Sequence, residues 1–220
     1  IGCIEIGLPN GEKLKLTGKI DRADAYDAAD GRYIRIIDYK TGHKMFNLND
    51  AVYGIDIQLP VYLDALVGIS EKNKYGGAFF FTLDDFMLDA DHDVPDEKIA
   101  EKRDTAMKLK GIIIDRKDVL DAFEKSAVAH NSGKTSDEQF RTLGKYLKKT
   151  IADAWVSLSD GNIAMNPYLR GGEKPCTYCP YHSVCRFDES QPGNSYNRLV
   201  SMRGEQTWKY IKGELSDVDE

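Results

Sequence analysis

The strongest constraint on this fold is a hairpin written into residues 14–40. Leu14, Leu16, Gly18 and Ile20 alternate with Lys15, Thr17, Lys19 and Asp21, and the run from Tyr33 to Tyr39 is dense in Ile and Tyr. Alternation of this kind marks a half-buried strand, and β-branched and aromatic side chains favour one. Asp30-Gly31 between the two runs is a turn signal. The hairpin carries Asp21 on one arm and Asp38 and Lys40 on the other. Asp38 and Lys40 are two residues apart, so they point to the same strand face. Asp38 follows Ile36-Ile37 and so ends an apolar, buried strand, where a carboxylate needs a partner or a cation. Two aspartates can bind Mg²⁺ or Mn²⁺, and the metal can lower the pKa of a bound water and neutralise charge on a phosphate. A lysine beside them can orient the attacking water or offset the charge that builds on phosphorus. A D-x-K triplet alone is a weak signal. Its plain alternative is a pair of ordinary acids in a surface hairpin.

A third element follows. Residues 50–66 read as helical, with Gln58 and Tyr62 at i, i+4 and therefore on one face. Pro60 either kinks this helix or marks a fresh first turn. Gln58 offers a neutral amide and Tyr62 a hydroxyl, both suited to a phosphate or to a catalytic lysine. Read by spacing alone, both are equally amphipathic residues at a core boundary.

Four cysteines are present, Cys3, Cys176, Cys179 and Cys185, and the last three form a C-x2-C-x5-C cluster. Three cysteines within ten residues point to a metal centre or a disulfide knot rather than to packing. Disulfides are disfavoured because nothing else in the chain signals secretion. Spacing leaves zinc, with His182 or Cys3 as fourth ligand, and an iron–sulfur cluster both open. Cys3 lies on an expected strand, Cys3–Gly7, only 18 residues before Asp21, and reads as a strand residue.

The remainder bounds the architecture. At 220 residues and 41% hydrophobic content the chain suits one domain, or one domain with a C-terminal appendage. Its longest apolar runs, such as 76–81 and 111–114, are far too short to span a membrane, so a cytoplasmic location is expected. The net charge of −6 does not announce a DNA-binding protein. Acidic runs at 84–96 and 216–220 contribute much of it, and basic residues gather at 102–110, 116–117 and 141–149, where they fit either a phosphate track or solvated helix faces. Residues 75–83 read as a strand, 96–110 as a charged helix ended by Gly111, and 117–126 as a short helix. Ser136 and Gln139 form a capping-box start for a helix to Leu158, with one apolar stripe through Phe140, Leu143, Leu147, Ile151, Ala154, Trp155 and Leu158. The expected fold is α/β, with a central mixed sheet from 2–8, 13–27, 32–40 and 75–83 flanked by helices.

The motifs G-K-I-D-R-A-D (18–24), I-I-D-Y-K-T-G (36–42) and Q-L-P-V-Y-L (58–63) together resemble the nuclease module of the RecB-like branch of the PD-(D/E)xK superfamily. The resemblance implies a restriction-endonuclease-like core in which Asp21 and Asp38 are metal ligands. It makes Lys40 the catalytic lysine and Gln58 and Tyr62 the trailing Q-x-x-x-Y motif. Many relatives carry a metal-binding histidine before the first strand. Here His43, His92, His130 and His182 all come after Asp21. The run P-C-T-Y-C-P-Y-H-S-V-C-R-F-D resembles the C-terminal half of the iron staple of AddB-type helicase-nuclease subunits, as does G-N-S-Y-N-R-L at 193–199. It implies a [4Fe–4S] cluster on Cys176, Cys179 and Cys185, completed by a cysteine far upstream. The chain begins at Ile1 and is expected to be a piece of a larger protein, with a nuclease core at 1–165 and a cysteine-cluster segment at 166–220. A piece lacking the first ligand would hold no intact cluster. The family implies DNA as substrate, an AddA-type helicase-nuclease as partner in a heterodimer, and exonuclease work in double-strand break processing. A CRISPR-associated 4Fe–4S exonuclease shares the core and the cysteines. A non-catalytic DNA-binding or scaffolding module would share only the fold.

Overall fold

The computed structural model describes residues 3–42, 44–83, 95–123 and 127–216. His43, His92, the acidic stretch 84–94, residues 124–126 of the expected short helix and the tail beyond 216 lie outside the described residues.

The hairpin forms as β3 (Arg22–Ala28) and β4 (Gly31–Lys40), paired antiparallel from Arg22↔Ile37 to Ala28↔Gly31. Its two turn residues are Ala29 and Asp30, one position earlier than the sequence signal placed them. Gly31 opens β4 at φ 151, where a Cβ would come within 2.7 Å of the Lys72 carbonyl oxygen. The expected strand over 13–27 is broken. β2 (Lys13–Leu16) pairs with β1 (Ile4–Gly7) in a separate two-stranded sheet, and the chain crosses to β3 through residues 17–21. At that crossing Gly18 lies under the Tyr62 ring, so close that a Cβ would overlap the phenol carbons and hydroxyl.

The expected helix over 50–66 is two helices. α1 (Leu48–Val52) and α2 (Gln58–Val67) are separated by Gly54 and Asp56, both at left-handed φ. Pro60 is the third residue of α2, where its missing N–H would have no intrahelical partner in any case. α2 carries the chain over to β5 (Asn73–Thr82), which lies parallel to β4. α3 (Asp96–Ala106) follows. It ends earlier than expected because the apolar run beyond it is a strand, β6 (Lys110–Ile114), antiparallel to β5. After α4 (Lys117–Ala122), β7 (Gly133–Thr135) completes a five-stranded mixed sheet in the order β3-β4-β5-β6-β7. The fold is thus α/β with a central mixed sheet flanked by helices. Two of its five strands, β6 and β7, carry too short or too continuous a pattern to be told from loop or helix by periodicity.

One sheet face buries Ile36, Ala78, Phe80, Ile112 and Ile114 against Leu59 and Leu63 of α2 and Phe140, Leu143 and Leu147 of α5 (Asp137–Ser159). The other face packs Ile37, Phe79 and Ile113 with Leu109, Leu120 and Val128. Asp64 of α2 ties three elements together. It accepts a hydrogen bond from the Tyr75 hydroxyl at 2.6 Å and pairs with Lys148 at 2.6 Å. Burial, reinforced by Asp64, pushes the Tyr75 phenol far above its ordinary pKa. α5 starts with the expected capping box of Ser136 and Gln139. Its apolar stripe is buried only in the first half, for Trp155 and Leu158 are 43% and 61% exposed. The last turns of α5 run past the edge of the core.

From Asp153 to Gln206 no residue is buried. This stretch contains a parallel pair of two-residue strands, β8 (Tyr168–Leu169) and β9 (Asn197–Arg198), a 3-10 turn (Pro175–Tyr178) and a four-residue helix, α6 (His182–Cys185). Polar tethers fasten it to α1 and the residue after it. The Tyr53 hydroxyl donates to the Val200 carbonyl at 3.0 Å and accepts from the Val200 N–H at 3.2 Å. Asn49 accepts from the Met202 N–H at 3.0 Å, and Arg170 pairs with Asp50. The chain then returns to the core as α7 (Glu205–Ser216), which buries Thr207 and Ile211 and packs on α5.

Candidate functional site

The site grows from the end of β4. Alternation along that strand puts Ile36, Asp38 and Lys40 on one face, the face covered by α2. The apolar residues hold the strand in the core, and its last two inward positions carry the charges. Asp38 is 9% exposed. Lys40 Nζ lies 2.6 Å from Asp38 Oδ2, an ion pair whose angle makes no hydrogen bond, so this buried oxygen lacks an aligned donor. An unsatisfied buried carboxylate oxygen is costly. Lys40 offsets its charge, and a divalent cation at this carboxylate would complete its partners.

Asp21 stands one residue before β3. Continuing the register by one step from Arg22↔Ile37 places it opposite Asp38. Its Oδ2 accepts the Tyr39 N–H at 3.0 Å, which holds the side chain across onto β4. Asp21 is exposed where Asp38 is buried. The pair therefore offers one oxygen-rich side open to solvent and one fixed from the core. Hard oxygen donors of this kind, with room for retained water, suit Mg²⁺ or Mn²⁺. Among the described residues no three or more His, Cys, Asp or Glu side chains gather as a metal group. Two carboxylates are what this chain contributes at the hairpin.

Gln58 is the first residue of α2 and lines a cavity of about 380 Å³ together with Lys40, Thr41, Lys44, Asp56 and Phe80. Gln58 thus shares a cavity wall with Lys40, while neither Asp21 nor Asp38 lines that cavity. Tyr62, one turn further, is not among the residues lining that cavity. Its ring lies against Gly18, just before Asp21. Lys44 and Asp56 form an ion pair of 2.6 Å within the cavity wall. The floor is Phe80, the cross-strand partner of Asp38, with Lys40 Nζ 5.9 Å from its ring centroid.

Four participants carry no sequence signal of their own. Phe80 and Thr82 reach the site only through the parallel register of β5 on β4, and Lys44 and Asp56 only through the loops around α1. Thr82 is the partner of Lys40, is 4% exposed, and has a hydroxyl without a hydrogen-bond partner. The sole hint was the position of Thr82 at the end of the apolar run 76–81.

The cysteines behave differently. All four are free thiols, with Cys3 and Cys185 exposed. Cys3 stands one residue before β1, just outside the strand expected to include it. Cys176 lies in the 3-10 turn, Cys179 follows it, and Cys185 ends α6, with its sulfur 3.4 Å from Met165 Sδ. Among the described residues no group of three or more His, Cys, Asp or Glu is placed to hold a metal ion.

Comparison with known proteins gives consistent results. The family described as the PD-(D/E)XK nuclease superfamily matches residues 2–186. Proteins named as the B-type subunit of an ATP-dependent helicase/deoxyribonuclease align over almost the whole chain. That of Thermoanaerobacter sp. (strain X514) is 34% identical over 233 residues, covering 97% of this chain. The Clostridium acetobutylicum protein is 35% identical over 234 residues, also 97% of the chain. The Ruminiclostridium cellulolyticum protein is 35% identical over 226 residues, 94% of the chain. The chain spans about one fifth of the length of these relatives, 20% in each case.

Proposed function

The chain belongs to the PD-(D/E)XK nuclease superfamily, and from that premise we propose that it is a metal-dependent DNA exonuclease module that hydrolyses phosphodiesters during double-strand break processing. It would work within the AddB-type part of a helicase-nuclease, with an AddA-type partner. The observation that carries this reading is the buried Asp38 carboxylate paired with Lys40, with Asp21 held opposite it and Gln58 in the cavity that Lys40 also lines. Asp21 and Asp38 would hold Mg²⁺ or Mn²⁺, which supplies an activated water and neutralises phosphate charge. Lys40 places an ammonium beside the reacting phosphate, where it orients the nucleophile and offsets developing charge. Gln58 can donate to or accept from a phosphate oxygen or water without competing for the cation. Phe80 and the Lys44–Asp56 pair wall the cavity and fix the approach. Tyr62 acts from behind, setting the path of the strand link that carries Asp21.

The test is the Asp38→Ala variant of the full-length protein, assayed with its partner's own nuclease disabled. Mg²⁺-dependent cleavage of labelled single-stranded DNA should fall at least about 100-fold. The variant should melt normally without metal yet lose the rise in Tm that Mg²⁺ gives the wild type, since only a bound ligand stabilises. Cleavage at the wild-type rate would overturn the assignment.

The segment from 166 to 220 we assign as the cysteine-bearing appendage of a core at 1–165, with a [4Fe–4S] cluster on Cys176, Cys179 and Cys185. Support comes from thiol donors at this spacing and from residues 153–206, none of which is buried, the kind of chain that needs a cross-link to hold a shape. Equal iron and acid-labile sulfide in the full-length protein is the expected result. Stoichiometric zinc without sulfide would remove the cluster from the reading.

A further inference from the structure

The catalytic face does not end at β5. Phe80 is the register partner of Asp38 on one side and of Lys110 on the other. Register partners share a face, so Asp38, Phe80 and Lys110 form a row across three strands. Two strand spacings, about 10 Å, separate its ends. Lys110 also lines a groove of about 900 Å³ with Lys102, Lys108, His130 and Asn131, where Glu101 is the one carboxylate among the described lining residues.

Two further observations bear on this groove. The first is its outer wall, α3, an 11-residue helix that buries none of its residues. A helix of that length is marginal in water without packing, so a ligand laid along it has a face to order. The second is the state of the other basic clusters. Arg116 is engaged by Asp30 and Asp118, Arg141 by Asp137, Lys148 by Asp64 and Lys149 by Asp153. Lys108 and Lys110 have no acidic partner among the described residues, and of those two other clusters only Lys117 and Lys145 share that state.

We propose that this groove binds the sugar–phosphate backbone of single-stranded DNA and leads it from Lys110 to the scissile position at Asp38. The inference rests on the nuclease reading above. The spacing of about 10 Å between Asp38 and Lys110 puts Lys110 within reach of a phosphate close to the one being cut. Lys108, His130 and Asn131 continue the track. Such contacts hold a strand without reading its sequence. A single strand fits because the groove is walled and presents its lysines to one backbone, whereas a duplex presents two.

The experiment uses the full-length protein, with Lys108→Gln/Lys110→Gln compared with Lys108→Arg/Lys110→Arg. Binding of a fluorescent oligothymidine is followed as salt is raised. The Gln pair should bind more weakly at low salt, and its log K against log[salt] slope should shrink by about 1.4, two contacts at about 0.7 each. The Arg pair keeps the charges and should keep the slope. An unchanged slope in the Gln pair, an equal loss in the Arg pair, or a loss confined to duplex DNA of the same length would each overturn the proposal. Hydrolysis of bis(4-nitrophenyl) phosphate, too small to reach the groove, is measured separately for wild type and Asp38→Ala. Equal rates there would sink the nuclease reading, while the binding result would still decide the groove.

Discussion

Asp30, at the tip of the hairpin, receives Arg116, Lys74 and the Tyr33 hydroxyl on one carboxylate oxygen. Arg116 first and Lys74 next hold its pKa far below the usual carboxylate range. A carboxyl whose folded pKa is depressed stabilises the fold fully above its unfolded value, about 3.9, and loses that contribution as pH falls through the folded value. The Tm of the wild type should therefore drop below about pH 4, and Asp30→Asn should show a shallower drop over the same range. Parallel curves would mean that the cluster is too well solvated to matter. At this scale the candidate site was partly legible. Asp21, Asp38 and Lys40 could be read because all three lie within one hairpin, where period-2 alternation assigns faces. Thr82, Phe80 and Lys110 could not, because strand register between distant segments is set by the crossovers and has no local trace.

Among elements, the contact of Gly18 with Tyr62 joins two motifs that are 44 positions apart. The sequence named both, but offered no reason for a glycine in one or a tyrosine in the other. The structure supplies a steric one, since the α2 ring occupies the space a Cβ at 18 would need. Gly18→Ala should cost about 1–3 kcal/mol through overpacking, read as a lower midpoint in urea. It should also lower the cleavage rate, because Asp21 lies three residues along the same link. A second change, Tyr62→Leu, should restore part of the stability. Full stability in Gly18→Ala alone would show that the ring moves aside freely. The capping box of α5 and the strands β4 and β5 followed from pattern. The division of the expected 50–66 helix did not, because Asp56 adopts left-handed φ in a stretch whose apolar periodicity continues unbroken. The hidden strand β6 failed for the opposite reason. Its residues are buried without interruption from Gly111 onward and show no alternation to detect.

At the scale of the whole molecule, the chain goes from a packed sheet, through residues 153–206 that bury nothing, and back to the sheet through α7. No helix among the described residues is long and apolar enough to cross a membrane. Composition had allowed an appendage at the C-terminus but could not foresee that the chain returns, since Thr207 and Ile211 become core residues only against α5. The unburied stretch is therefore a bight tied at both ends, not a tail. A protease should nick it first, because local opening there disrupts few apolar contacts. Cutting it should not free the C-terminal piece. After brief trypsin treatment the protein should give two bands under denaturing conditions yet elute as one species at native pH, with α7 still seated. Separation of the pieces would mean that α7 holds its place only through the covalent chain.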